Sequence, residues 1–262
     1  MPSDGDFMIP VGDFLRRRTT PYVNWTLLAA NIAVFIYTLT LNTRPDEVLL
    51  ISSPIATSEA DRFFFDWGFE PACVADYFGL ATDASAPDLR AVCPAGGREP
   101  LQLFTSMFVQ AGWAHILGNM LFLWIFGDNV EDRVGHGRYL VFYLLSGLAA
   151  AAAQTLMAAD TVLPAVGASG AIAGVLGAYL LLYPKAIVQV VILPLVFIPF
   201  YVPAVFLIGV WFVTQLFAGL AEVGAHSTAG SGVAWWAHIG GFVAGALLIN
   251  VFKQRRPRAP SP

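Results

Sequence analysis

The sequence predicts an all-α membrane protein, a bundle of six transmembrane helices with a long outer loop between the first two. Of the 262 residues, 57% are hydrophobic and only 12% are charged, whereas a soluble globular domain is about 25% charged. Six apolar stretches have the lengths of membrane segments or slightly less, at residues 24–41, 114–127, 138–157, 169–183, 202–220 and 234–252. We therefore expect one membrane domain over residues 24–252. The other parts are an N-terminal tail, the outer loop and a C-terminal tail, at residues 1–23, 42–104 and 253–262.

The lysine and arginine residues are unevenly distributed between alternate loops, which predicts the orientation in the membrane. Ten of the fourteen lie on one side: Arg16, Arg17, Arg18, Arg133, Arg138, Lys185, Lys253, Arg255, Arg256 and Arg258. The other four are in the acidic outer loop: Arg44, Arg62, Arg90 and Arg98. We therefore expect both tails to be cytoplasmic, in a plasma (inner) membrane. Because the N-terminus is polar and acidic, we expect no cleavable signal peptide.

The outer loop is acidic and aromatic, and we interpret it as a cap in the outer membrane interface, where tryptophan and tyrosine are favoured. It contains Cys73 and Cys93, the only cysteines in the chain. On an oxidising side of the membrane these residues can form a disulfide. Two unpaired thiols are the alternative, because spacing alone does not show that the sulfurs meet.

The fourth apolar stretch, residues 169–183, would form a helix roughly 22 Å long at about 1.5 Å per residue. That is too short for a hydrocarbon core of about 30 Å, so the preceding loop should enter the membrane beside a hydrated cavity. Ser169 lies at this junction, in a Gly-Ala-Ser-Gly motif. Such motifs also occur where membrane helices pack. However, N–H groups at a helix start can stabilise an oxyanion, and Gly167 and Gly170 would let a substrate backbone approach.

Two other apolar stretches carry a histidine near the same membrane depth. His238 shares a helical face with Gly241, and the fourth stretch has a glycine face that begins at Gly170. If these faces pack together, His238 can accept the proton of Ser169. The alternative is a histidine that only packs and forms hydrogen bonds.

His115 and Asn119 are four residues apart and so share one helical face. Both offer N–H donors, and with the backbone N–H of Ser169 they would form an oxyanion hole. Hydrogen bonding between helices is the alternative role. The chain has no His-Glu-x-x-His motif, so we expect no metal site.

Two connecting segments have less regular patterns. Residues 186–201 are apolar but contain Pro194 and Pro199, so we expect an irregular or re-entrant stretch, with the fifth span starting near Pro203. The glycine-rich outer loop at residues 221–233 contains His226. It is either a mobile lid over the site or a slack connector.

Five motifs occur in a fixed order between residues 100 and 250. They are Thr-Ser-Met-Phe at 105–108, Gly-Trp-Ala-His-Ile-Leu-Gly-Asn-Met at 112–120, Gly-Asp-Asn-Val-Glu-Asp-Arg-Val-Gly at 127–135, Gly-Ala-Ser-Gly at 167–170 and Ala-His-Ile-Gly-Gly at 237–241. In this order and spacing, the chain resembles the rhomboid family of intramembrane serine proteases.

The resemblance implies a serine endopeptidase that cleaves transmembrane segments of membrane proteins through an acyl-enzyme. It implies Ser169 as the nucleophile, His238 as the general base, and Asn119 and His115 as oxyanion donors. The implied partners are single-span substrates, which enter between the second and fifth spans, and the lipid bilayer. No cofactor, metal or nucleic acid is implied.

The chain departs from the family at two places. Some members carry a tyrosine four residues after the nucleophile that stacks on the histidine; here that position is Ala173, so His238 must be held in another way. A Trp-Arg pair of the first outer loop is also absent, because Trp67 is followed by Gly68. Two other functions are alternatives: a non-catalytic rhomboid-like protein that binds or escorts membrane clients, and a small transporter, although the chain lacks repeated halves.

Overall fold

A computed structural model describes residues 8–44, 58–80, 93, 97–192, 198–225 and 233–254. The helices are α1 (Tyr22–Thr38), α2 (Glu59–Trp67), α3 (Pro71–Tyr77), α4 (Glu99–Thr105), α5 (Trp113–Phe122), α6 (Asp128–Val134), α7 (His136–Met157), α8 (Ser169–Leu182), α9 (Ala204–Ala225) and α10 (Trp235–Phe252). A 3₁₀ turn follows α4 at Ser106–Phe108, and a π-helical stretch, Leu123–Gly127, joins α5 to α6. The strands are β1 (Met8–Asp13), β2 (Ile187–Ile192) and β3 (Pro199–Pro203).

Several of these helices have the length and composition of membrane spans. Within the described residues, α7, α10 and the Ala204–Glu222 part of α9 are long and apolar enough to cross a membrane. A fourth span is formed if Glu99–Phe108 and Trp113–Val134, which meet at an angle of 82°, count as one. The helices α1 and α8 are apolar but shorter, with 17 and 14 residues. The chain is therefore a multi-pass membrane protein, and the count of six spans stays a prediction.

The short helix α8 lies at the centre of the bundle. All of its residues from Gly170 to Tyr179 are buried, and it packs against α7 and α10. A helix surrounded by protein on these sides can be shorter than a lipid-facing span, because its ends need not reach both membrane surfaces. The residue that begins it, Ser169, is held at the same level as the first turn of α10.

Glycines bring α8 and α10 into backbone contact. A Cβ atom built at Gly241 would lie 2.0 Å from the carbonyl oxygen of Gly170, and one at Gly245 would lie 2.0 Å from that of Gly174. The blocking atoms belong to the backbone and cannot rotate away, so any side chain here would push the helices apart. This is the close packing that small residues allow between membrane helices.

A buried carboxylate fixes the start of α1. Glu131, in α6, has no exposed surface, and its two oxygens accept hydrogen bonds from the backbone N–H groups of Val23 (3.1 Å) and Asn24 (2.7 Å). The first N–H groups of a helix lack intrahelical partners and attract negative charge. Glu131 therefore caps α1 from a distant part of the chain, and His136 contacts the same carboxylate.

The three strands form one antiparallel sheet in the order β1-β2-β3. The prediction of an irregular stretch at residues 186–201 is therefore wrong, because β2 and the start of β3 lie within it; residues 193–197 are outside the described part of the chain. Isoleucine and valine favour the extended backbone of β2, and prolines are tolerated in β3 because it is an edge strand. The protein is thus not all-α, and its N-terminal tail contributes β1. The helix α9 begins at Ala204, beside its predicted start.

Asp13, at the end of β1, connects the sheet to the helices. Its carboxylate accepts hydrogen bonds from the Tyr179 hydroxyl (2.6 Å) and the Asn129 side-chain amide (2.9 Å). Burial raises the pKa of the Asp13 carboxyl, and these hydrogen bonds oppose the rise. The N-terminal strand is therefore attached to α8 by a specific polar contact.

The described part of the predicted outer loop, residues 42–104, folds largely into α2, α3 and α4. Ser58 begins α2 with a capping box, because its hydroxyl accepts from the N–H of Asp61 and its own N–H donates to the Asp61 carboxylate, both at 3.1 Å. Cys73 in α3 is bonded to Cys93, with Cα atoms 5.4 Å apart. The predicted cap is therefore partly helical, and residues 45–57, 81–92 and 94–96 lie outside the described ranges.

Glu70, between α2 and α3, is a buried acid of the predicted outer loop. It has no exposed surface, and no other described residue donates a hydrogen bond to either carboxylate oxygen. Burial, together with the nearby carboxyls of Glu99 and Asp66, raises the pKa of Glu70 from 4.5 to about 8. The folded loop therefore favours the protonated form of this side chain.

We predict that the protein becomes less stable as the pH rises from about 4.5 to about 8. The folded state binds the Glu70 proton more tightly than the unfolded chain, so this stabilisation is complete below the unfolded pKa and is lost as the pH rises through the folded pKa. Thermal unfolding in detergent across this pH range measures the effect. Glu70→Gln should reduce the pH dependence, whereas the matched change at an exposed position, Glu59→Gln, should keep it. Equal pH dependence in both variants would contradict this assignment.

Candidate active site

Ser169 is the first residue of α8, and His238 lies in the first turn of α10. His238 Nε2 is 2.8 Å from Ser169 Oγ, which is a hydrogen-bonding distance. The two residues are 69 positions apart in the chain, and the glycine contacts between their helices bring them together. The structure thus places the predicted nucleophile and the predicted base in contact.

The loop that leads into α8 lies directly against His115. Gly167 has a φ of +130°, which residues with a side chain rarely adopt. A Cβ atom there would lie 2.7 Å from His115 Nε2. The N–H of Gly167 donates to the carbonyl oxygen of Ser106 at 2.8 Å, which attaches the loop to the 3₁₀ turn. Glycine is therefore required at this position for both conformation and space.

His115, in the first turn of α5, offers a donor to this side of the site. The backbone N–H of Ala111 donates to His115 Nδ1 at 3.2 Å. Because Nδ1 accepts, the neutral ring carries its proton on Nε2. This nitrogen faces Gly167, two residues before Ser169, so its N–H lies close to the predicted nucleophile.

Asn119 is oriented by a row of buried amides. Its Nδ2 donates to Gln110 Oε1 (2.8 Å), Gln110 Nε2 donates to Asn31 Oδ1 (2.7 Å), and Asn31 Nδ2 donates to the Leu27 carbonyl (2.9 Å). The carbonyl can only accept, so it fixes the direction of each amide in turn. Asn119 therefore turns its NH₂ group, and not its oxygen, toward Gln110, and this contact uses one of the two N–H bonds of the group. Neither Asn31 nor Gln110 was predicted from the sequence. Asn31 lies in an apolar segment, where an amide is a signal of specific contacts, whereas Gln110 lies just before the second apolar stretch.

His238 is held from the side opposite Ser169 by residues of α9. Its Nδ1 is 2.7 Å from Gln215 Oε1, and the Trp211 ring centroid is 6.0 Å from the imidazole. Trp235, on its own helix, approaches edge-on at 6.2 Å. Ala173 cannot stack on His238 as a tyrosine would, and the imidazole is instead held by side chains of α9. The role of Gln215 was not predicted from the sequence, although an amide within an apolar span is a signal of a specific contact.

A small cavity of about 30 Å³ lies between α8 and α7. Its lining includes Gly147, Ala150, Gly170 and Ala237, and Met107. A Cβ atom at Gly147 would lie 2.4 Å from Met107 Sδ. The cavity borders Gly167 and Gly170, on either side of Ser169, and is small and lined mainly by glycine and alanine.

Other candidate residues lie away from this site or outside the described residues. Cys73 and Cys93 are in the outer loop, and His136 is beside Glu131 at the start of α7. His226 and most of the predicted lid fall at residues 226–232, which are not described. In the described part of the chain, no three His, Cys, Asp or Glu side chains form a group that could hold a metal ion.

Comparison with known proteins identifies a family model and several related sequences, all of which have rhomboid in their names. Residues 97–255 match the family model of the Rhomboid domain. RHOMBOID-like protein 6, mitochondrial, of Arabidopsis thaliana is 29% identical over 171 residues, which cover 63% of this chain and 53% of the plant protein. Rhomboid protein 1, mitochondrial, of Saccharomyces cerevisiae is 31% identical over 156 residues, 56% of this chain and 40% of the yeast protein. Rhomboid protease GluP of Bacillus subtilis is 40% identical over 79 residues, 30% of this chain and 15% of that protein.

The matched region spans about half of the Arabidopsis relative and less of the other two. The family model, in contrast, covers more than half of this chain and includes Ser169, His238, His115 and Asn119. The chain therefore belongs to the rhomboid family, whose members are usually intramembrane serine proteases.

Proposed function

We propose that this protein is an intramembrane serine endopeptidase that cleaves transmembrane segments of other membrane proteins. The observation that carries the proposal is the 2.8 Å contact between Ser169 Oγ and His238 Nε2 in a chain of the rhomboid family. A serine hydroxyl is a weak nucleophile until an adjacent base can take its proton. The same contact in an apolar bundle is hard to explain by packing alone, because polar groups there are costly.

In the proposed reaction, Ser169 Oγ attacks the carbonyl carbon of the scissile peptide bond while His238 Nε2 takes the hydroxyl proton. The new O–C bond creates a tetrahedral intermediate with its negative charge on the former carbonyl oxygen. When the C–N bond breaks, His238 gives the proton to the leaving amine, and an acyl-enzyme remains. Water then attacks the acyl carbon and gives a proton to His238, which returns it to Ser169 as the O–C bond breaks.

Three N–H groups are the proposed donors to the oxyanion. They are the Nε2–H of His115, the side-chain amide of Asn119 and the backbone N–H of Ser169. The backbone N–H groups at the start of α8 have no intrahelical partners and lie at the positive end of the helix dipole. Donors that are already oriented stabilise developing charge more effectively than mobile water does. The amide row behind Asn119 and the Ala111 contact of His115 supply that orientation.

The proposed substrates are single-span membrane proteins that enter between the second and fifth spans, here α5 and α9. A transmembrane helix keeps its carbonyl groups in internal hydrogen bonds, so the segment must unwind before Ser169 can attack. Residues that weaken a helix therefore favour cleavage. The cavity beside Gly170 supports a preference for a small side chain next to the scissile bond.

We also propose six spans, with a membrane domain at residues 24–252, both tails in the cytoplasm and the active site toward the outer face of a plasma (inner) membrane. The excess of basic residues in the tails and alternate loops supports this orientation, and a disulfide in the outer loop fits an oxidising side. Two relatives have mitochondrial in their names. Membrane fractionation of the source cell tests which membrane contains the protein, and proteolysis of the intact membranes tests its orientation.

Labelling with a fluorophosphonate probe, followed by mass spectrometry, tests the proposed activity. The folded protein in detergent should carry the adduct on Ser169, whereas heat-denatured protein should not, because the base then no longer contacts the serine. The control Ser146→Ala removes another buried serine hydroxyl, in α7, and should label like wild type. A folded protein that binds client segments but takes no label would instead support the non-catalytic function.

A further inference from the structure

His238 has a hydrogen-bond partner at each ring nitrogen, and the second partner has no role in the proposed reaction. Nε2 is 2.8 Å from Ser169 Oγ, and Nδ1 is 2.7 Å from Gln215 Oε1. Gln215 lies on α9 and is 7% exposed. Burial of an amide in an apolar environment is costly unless its polar atoms are paired. The contact with His238 is therefore the main reason that a glutamine is tolerated at this position.

The direction of the Gln215 contact decides which ring nitrogen carries the proton. A neutral imidazole has one N–H donor and one acceptor nitrogen. With Gln215 Oε1 facing Nδ1, the proton must be on Nδ1, and the lone pair of Nε2 faces the Ser169 hydroxyl. With the amide reversed, Nε2 would carry the proton and point it at Ser169, and the ring could not act as a base.

Two further contacts on α9 orient the Gln215 amide. The Thr214 hydroxyl donates to the Trp211 carbonyl oxygen at 2.6 Å, and Gln215 Nε2 donates to Thr214 Oγ1 at 3.3 Å. The carbonyl can only accept, so the threonine proton is used there, and the threonine oxygen remains as an acceptor. Only the NH₂ end of the amide can satisfy that oxygen. The amide oxygen is therefore turned toward His238.

We propose that Gln215 is a positioning residue that places the proton of His238 on Nδ1, with Thr214 as its support. This inference rests on the proposed serine protease function. Gln215 holds His238 in place of the tyrosine that some family members have at the position of Ala173. It does so through the direction of a hydrogen bond and not through ring stacking. Because Gln215 lies on α9 while Ser169 and His238 lie on α8 and α10, the base is correctly protonated only when α9 is packed against α10.

The rate of fluorophosphonate labelling, measured against pH, tests the proposal with two substitutions. Gln215→Leu keeps the size but removes the acceptor, and should lower the rate about tenfold, the worth of one hydrogen bond. Gln215→Glu, when its carboxylate is ionised, restores an acceptor that cannot donate. It should keep the rate at alkaline pH and move the acid limb of the profile upward by about one unit, because a carboxylate beside Nδ1–H stabilises the imidazolium.

Within the described ranges, the groups that face His238 are Ser169, Gln215, Trp211 and Trp235. Among the described residues, His115 is the other titratable side chain at the site, and it is present in every variant, so a shift of the acid limb in Gln215→Glu alone reports on His238.

Two controls on the same helix separate this role from general packing. Val213→Ala changes an exposed side chain of α9 and should leave the rate and the profile unchanged. Thr214→Ser keeps the hydroxyl and should be labelled at the wild-type rate. Thr214→Val removes it, and its labelling rate should fall toward that of Gln215→Leu. A merely structural glutamine would lower the unfolding temperature in Gln215→Leu but leave its labelling rate at the wild-type value.

The failure of this inference differs from the failure of the proposed function. Wild-type labelling at Ser169 together with an unshifted Gln215→Glu profile, or with Gln215→Leu at the wild-type rate, would overturn the role of Gln215 only. Absence of labelling at Ser169 in the folded wild-type protein would overturn the function itself, and the role of Gln215 with it. If Gln215→Leu does not fold, the pH profile of labelling of Gln215→Glu alone decides whether Gln215 has the proposed role.

Discussion

Ser169→Ala is expected to abolish cleavage of a single-span reporter substrate, with a rate loss of about 10⁶-fold. Without the hydroxyl, no acyl-enzyme can form, and the remaining donors stabilise only attack by water. His238→Ala should reach a similar residual rate, because a hydroxyl without its base is not activated. The double variant should be no slower than either single variant, since the two residues act as one unit. Cleavage is measured in liposomes with the purified protein and a tagged reporter.

The matched control for this experiment is Ser146→Ala. The Ser146 hydroxyl is buried in α7 without a hydrogen-bond partner among the described residues, so its removal changes the same chemical group away from the proposed reaction. This variant should cleave like wild type. Cleavage by Ser169→Ala at the wild-type rate would rule out the mechanism, and a double variant far slower than the single variants would rule out a two-residue unit.

Gly245→Ala is expected to destabilise the bundle by about 3 kcal/mol or more, at the upper end of overpacking effects. The added Cβ atom would lie 2.0 Å from the Gly174 carbonyl oxygen and 2.4 Å from the Gly174 Cα and carbonyl carbon. Backbone atoms cannot move aside by a change of rotamer, so α10 must shift away from α8. The shift should also lengthen the contact between His238 and Ser169, and labelling should fall with stability.

Gly209→Ala is the matched control for the packing experiment. Gly209 is in α9, and a Cβ atom there would have no atom within 4 Å. Alanine has the higher helix propensity, so this variant should be as stable as wild type or slightly more stable. Thermal unfolding in detergent compares the two variants. A Gly245→Ala protein as stable as Gly209→Ala would show that the close contact between α8 and α10 is not needed.

The positions of the helices were largely predictable because they depend on local composition. The apolar stretches at 138–157, 169–183 and 234–252 correspond to α7, α8 and α10 within a few residues. Glycines on one face of a segment also indicated where two helices would approach. These features follow from residues close together in the sequence, and length and hydrophobicity alone were sufficient to find them.

The three-stranded sheet was not predicted, because its pairing is not local. The strand β2 is apolar and followed by prolines, which suggested an irregular stretch, and its partner β1 comes from the other end of the chain. A strand acquires its hydrogen bonds only from a neighbour. The composition of residues 187–192 was compatible with a strand, but the sequence contained no indication of the partner.

The candidate site was predictable in its residue types but not in its supports. Ser169, His238, His115 and Asn119 stood out because polar groups are rare and costly in apolar segments. Gln215 satisfies the same criterion and was still missed, because an amide alone has no characteristic chemistry. Gln110 was missed because it lies just before the second predicted apolar stretch. Their roles become visible only through the atoms that they contact.

By itself, the sequence determined that this chain enters a membrane several times and that a hydroxyl, two imidazoles and an amide lie near the starts of its apolar segments. The tertiary structure alone decided that Ser169 and His238 meet, that Gln215 faces the far side of the imidazole, and that an N-terminal strand completes a sheet. The physical reason is that transfer of a segment into lipid depends on its own residues. The direction of a hydrogen bond, in contrast, depends on both partners, and here the partners lie on helices far apart in the chain.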